Sequence, residues 1–135
     1  MIRYRQMSQD EMTEWLSRQR AAYSVVSARL KGGHPAPIAV LLLDVAQDRL
    51  LFRFRDDLDR IANDESLPAL DGIRDELANW AFEKGAKSLY LMFLDTLSNA
   101  VTISDPREVP PDSDLPAYLD VIFTKEVANA RFARR

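Results

Sequence analysis

The chain contains no cysteine, which excludes disulfides, thiolate metal ligands and a cysteine nucleophile. Histidine occurs once, as His34, leaving no histidine pair for zinc and a single base for any serine-histidine-acid arrangement. Glycine is scarce, at four residues, and the Gly32-Gly33 pair lacks the glycine-lysine continuation of a phosphate loop. Both dinucleotide signatures are missing, so no cofactor and no metal are expected. Long apolar runs are absent as well. Ile38 to Leu43 is far too short to span a bilayer, and the opening MIRYRQMSQDEM lacks the apolar stretch of a signal peptide. The expectation is a cytoplasmic chain with no membrane segment.

What is present reads as one globular domain. The 135 residues are 47% hydrophobic and 29% charged, far from the composition of disorder, and the length suits a single core over 1-135, with mobile ends at 1-7 and 129-135. A net charge of −3 argues against coating nucleic acid, although Arg3, Arg5, Arg134 and Arg135 put basic groups at both ends. Between Asp44 and Glu76 ten acids face five arginines, so the charge is polarised along the chain.

The order of elements predicted is α-β-β-β-α-β-β-α, an α+β fold with a central antiparallel meander and helices packed on the sheet. Ser8-Gln9-Asp10-Glu11 is a capping box, with Met7 and Met12 as a hydrophobic staple, so a helix starts at Ser8. Tyr23 to Leu30 reads as a strand that stops at the glycines and prolines of Lys31 to Pro37. Ile38 to Val45 and the alternating Arg49 to Arg55 form a hairpin. Leu70, Ile73, Leu77, Trp80 and Ala81 recur at three-and-four spacing after an N-cap at Ser66 and end at Gly85. Leu89 to Leu94 and Val101 to Ile103 suggest a second hairpin. Leu119, Ile122 and Val127 mark a last amphipathic helix.

Register then separates the faces of the meander. A two- or four-residue loop pairs Asp44 with Arg49 and sets Leu43, Leu41 and Ala39 opposite Leu50, Phe52 and Phe54, a wholly apolar face that must be core, whereas a three-residue loop shifts the register by one. The other face carries Ile38, Val40, Leu42 and Leu51 flanked by Arg49, Arg53 and Arg55. An aliphatic stripe edged by guanidinium groups requires a cover: one of the chain's own helices, a second copy of the chain, or a foreign partner. These seven residues are the candidate binding surface.

For chemistry, the meander brings Lys31, His34, Asp56 and Asp57 to one edge, the one place for a metal-assisted hydrolytic site. Asp44 lies at the opposite edge, roughly 20 Å away. The α-β-β-β-α-β order resembles the core of restriction-endonuclease-like nucleases, but their third-strand Glu/Gln-x-Lys pattern is missing from Arg49-Leu50-Leu51-Phe52-Arg53-Phe54-Arg55. The fuller order resembles the small, acidic, dimeric chaperones of type III secretion effectors, which implies a partner-covered face; no specific motif carries either resemblance. The expectation is a non-enzymatic protein-binding or assembly module, homodimeric or holding another protein, chaperone-like or regulatory, with no catalytic residues. The alternative is a metal-dependent hydrolase or nuclease-like enzyme at His34, Asp56, Asp57 and Lys31.

Overall fold

A computed structural model describes residues 8–31, 34–64, 67–96 and 101–128. The Met7 staple, the Gly32-Gly33 pair, the Ser66 cap and the chain ends at 1–7 and 129–135 lie outside the described residues. The elements run α1 (Gln9–Ser17), β1 (Ala21–Arg29), β2 (Pro35–Asp44), β3 (Arg49–Phe54), α2 (Leu58–Ile61), α3 (Leu67–Lys84), α4 (Ala86–Thr96), β4 (Val101–Ile103), β5 (Arg107–Glu108) and α5 (Leu115–Phe123), which continues into a π-helical turn, Thr124–Ala128. The fold is α+β. Its five-stranded antiparallel sheet has the order β3-β2-β1-β4, with β5 also paired to β1.

Local chemistry explains the ends of the elements. Ser8 Oγ accepts from the Glu11 N–H while the Glu11 carboxylate accepts from the Ser8 N–H, so the capping box satisfies two donors that the first turn of α1 would leave unpaired. Gly85 ends α3 at φ +88°, a conformation that a side chain opposes. Space is tight there too, since a Cβ at Gly85 would lie 3.3 Å from Asp48 Oδ2. The same Asp48, in the β2–β3 turn, accepts from the Lys87 N–H through Oδ1, tying the hairpin to the first turn of α4.

The predicted register of the hairpin holds residue for residue: Asp44 pairs with Arg49, Leu43 with Leu50, Leu41 with Phe52 and Ala39 with Phe54. That face forms a core with Met12 and Leu16 of α1, Leu70 and Leu77 of α3, and Leu89, Tyr90, Phe93 and Leu94 of α4. The Tyr90 hydroxyl reaches the Ser24 hydroxyl at 2.5 Å, so the polar pair in this core satisfies itself. Ile38 departs from the expected alternation. A bulge, where Val26 pairs with Ala39 but Ser27 with Pro37, leaves Ile38 unmatched on β1, and its side chain joins the first core.

Leu89 to Leu94 is helical, not a strand. Six apolar residues in a row fit a buried strand and a buried helix equally well, and neither period shows in such a run. Burial resolves it: Leu89, Tyr90, Phe93 and Leu94 are buried while Met92 is exposed, the one-face pattern of a helix. Val101 and Ile103 do form a strand, but it pairs with β1, beside which β5 also adds within the proline-rich stretch from Arg107 to Pro116. The chain therefore places a helical hairpin, α3 and α4, where a strand was expected.

Candidate functional site

The aliphatic stripe on the second face of the meander is occupied by the chain's own last helix. Val40 and Leu42 are fully buried, in a second core with Leu115, Leu119, Ile122, Phe123 and Val127, and Leu51 packs against its rim. The π-helical turn widens the backbone after Phe123, and Val127 still reaches the sheet. Of the three covers that the sequence allows, an own helix is the one found. As surface residues for a partner, Ile38, Val40 and Leu42 are thereby corrected: all three are inside, Ile38 in the first core and the other two beneath α5.

Arg49 and Arg53 of β3 remain at the surface, while Arg55, in the turn that follows, is mostly buried. Arg49 lies 3.6 Å from Asp44. Asp44 is not the surface partner that cross-strand pairing implies: it is buried, and its Oδ1 also accepts from the Gln47 N–H, so it caps the turn. Arg53 donates to Asp120 of α5 at 2.8 Å, and its guanidinium lies 4.3 Å from the centre of the Phe123 ring. Arg55 grips Asp57 through two hydrogen bonds of 2.8 Å, and Arg60 adds a contact at 3.7 Å. The Arg55 hydrogen bonds hold the Asp57 carboxyl below the usual carboxylate range despite the opposing cost of burial, and the Arg55 and Arg60 charges add to this.

These groups line a cleft of about 370 Å³ at the end of β3, formed by Arg53, Phe54, Arg55, Asp56, Asp57, Arg60, Phe123 and Ala128. Its two ends come from distant segments, the β3–α2 turn and the junction of α5 with the π-helical turn. Sequence reasoning marks Arg53 and Arg55 but misses Arg60 and Phe123. A signal for Phe123 exists in the apolar Val121-Ile122-Phe123 run, whereas nothing local joins it to Arg53.

The second candidate group, Lys31, His34, Asp56 and Asp57, does fall at one end of the sheet. The Lys31 N–H donates to the Ile61 carbonyl and Leu30 bridges Ala62, so the loop after β1 runs beside α2. The side chains do not converge on a reaction centre. His34 is exposed and contributes only its carbonyl, to the Leu30 N–H, Asp56 is exposed, and Asp57 is committed to Arg55. Among the described residues no three His, Asp or Glu side chains gather closely enough to hold a metal ion.

A further open feature among the described residues is backbone. The Arg55 N–H donates to the Ile38 carbonyl at 2.9 Å. Antiparallel alternation then directs the main-chain groups of Arg49, Leu51 and Arg53 toward β2, and those of Leu50, Phe52 and Phe54 away from it. Among the described residues no strand lies along that outer edge of β3. No helix among them is long and apolar enough to cross a membrane. No family model, no curated protein and no solved structure matches the chain.

Proposed function

We propose that the protein is a non-enzymatic protein-binding module that takes an extended segment of a partner along the outer edge of β3. The observation that carries this reading is the row of outward main-chain groups at Leu50, Phe52 and Phe54, with no strand beside them among the described residues. Such a row is a template for strand addition, in which main-chain hydrogen bonds supply affinity and alternate side chains supply specificity. The edge is firmly held. Leu50, Phe52 and Phe54 pack on the first core and Leu51 on the second, so an incoming strand meets an ordered template. The absence of cysteine supports a cytoplasmic setting for this binding.

Leu50→Pro tests the reading against Leu50→Ala. Both lose the packing of the leucine, but only proline removes the outward N–H, and neither removes a β2–β3 bond, since the Leu50 main chain faces away from β2. Both variants are expected to stay folded by circular dichroism. The immobilised wild type and Leu50→Ala should retain the same partner, with the Phe52 and Phe54 amides slowed in hydrogen exchange in the complex, and Leu50→Pro should retain none. A folded Leu50→Pro variant that holds the partner as tightly as Leu50→Ala would overturn the proposal.

A further inference from the structure

The two side-chain rows of β3 differ in chemistry, and the difference specifies what the edge accepts. Resting on the reading of β3 as a docking edge, we infer that the segment it binds alternates acidic with apolar residues, its acids on the arginine side. In an added antiparallel strand each residue stands directly opposite one on β3 and shares its face. Leu50, Phe52 and Phe54 are half-buried and continue the first core to the edge, so apolar side chains opposite them extend that core. Arg49 and Arg53 alternate with them on the other face, with side chains 53% and 48% exposed. Both already touch a carboxylate, Asp44 and Asp120 respectively. A guanidinium offers five N–H donors, however, so each half-exposed arginine retains donors for a second carboxylate. At the end of the strand the cleft adds Arg60, 78% exposed, within reach of a further acid at the start of the segment.

The same geometry opposes one way of pairing with a second copy of this chain. A two-fold antiparallel pairing centred on Leu51 sets Arg49 opposite Arg53 twice. In one centred on Phe52, Arg49 faces Arg55, whose charge Asp57 already answers, so it is the Leu51 register that juxtaposes like charges across the new ladder, which is destabilising. In that register the arginines guard the edge against self-pairing while they select acids, so repulsion and attraction act together.

The test uses the full-length, isotope-labelled protein and three end-capped peptides in which valine alternates with glutamate, glutamine or lysine. Amide shifts are followed by NMR. The glutamate peptide is expected to perturb Leu50, Phe52 and Phe54 and to bind about tenfold tighter than the glutamine peptide, on the basis of two or three favourable cross-strand charge pairs. Its advantage should shrink as salt rises. Arg49→Gln should reduce that advantage without abolishing binding of the glutamine peptide. Equal binding of all three peptides at the β3 amides would overturn the acidic specificity and leave the docking edge standing. No perturbation of those amides by any peptide would overturn the docking edge itself. Concentration-dependent protection of the β3 edge in the protein alone, with dimer by light scattering, would make the occupant a second copy and overturn the inference.

Discussion

Leu42→Glu is expected to leave the chain unfolded. Leu42 has no exposed surface and lies between β2 and the α5 layer, among Val40, Leu119, Ile122 and Phe123. A carboxylate placed there loses its hydration without gaining a cation, and the leucine's own burial, worth about 1.5–3 kcal/mol, is lost as well. The combined cost is on the order of 5 kcal/mol, comparable with the whole stability of a domain of this size. Far-ultraviolet circular dichroism and thermal melting read the result. The paired substitution, Val121→Glu, falls on the outer face of the same helix at 58% exposure and should change stability by no more than about 0.5 kcal/mol. A Leu42→Glu variant that melts like the wild type would mean that α5 does not cover the stripe.

The second large effect is expected at Tyr90, the fully buried anchor of α4. Tyr90→Ala removes a ring from the first core and should cost about 3–5 kcal/mol, the usual range for aromatic truncation. Tyr90→Phe keeps the ring but orphans the Ser24 hydroxyl, which is buried and bonded to the Tyr90 hydroxyl. Its cost should be about 1–3 kcal/mol, and Ser24→Ala in the same chain should recover part of it, because no polar group is then left unsatisfied. Chemical denaturation of the four chains measures the cycle. Additive losses would show that the two hydroxyls do not depend on each other.

Tyr90 also marks where the sequence misleads. Elements with visible punctuation were legible: the Ser8 capping box, the stop at Gly85, and the strict alternation of Arg49 to Arg55, whose pairing with β2 follows from two-residue periodicity and loop length. Leu89-Tyr90-Leu91-Met92-Phe93-Leu94 offers no polar residue to phase it. Its helical state comes from tertiary context, since only there does burial fall on Leu89, Tyr90, Phe93 and Leu94 together. Asp48, at φ 50°, adds a cap for α4 from a turn 39 residues earlier in the chain, a connection no local pattern contains.

The candidate site was legible to a similar degree. Register correctly separated an apolar face from one carrying Val40, Leu42 and Leu51 among arginines, and the need for a cover was right. Which of several apolar segments supplies the cover depends on long-range packing, and Leu119, Ile122 and Val127 proved to be that segment. Their docking closes the face of the sheet and leaves its β3 edge for the proposed docking. There Arg49 and Arg53 remain half-exposed and the outward main chain of Leu50, Phe52 and Phe54 becomes the feature that matters. Arg55, by contrast, is turned inward onto Asp57, so its role is to brace the start of α2.

Amide hydrogen exchange along β3 in the free protein tests the central claim most directly. An open edge predicts alternation: slow exchange at Leu51, Arg53 and Arg55, which face β2, and fast exchange at Leu50, Phe52 and Phe54, which face outward. Uniformly slow exchange across all six amides in the monomeric protein would contradict it, because the edge would already be covered and could accept no partner.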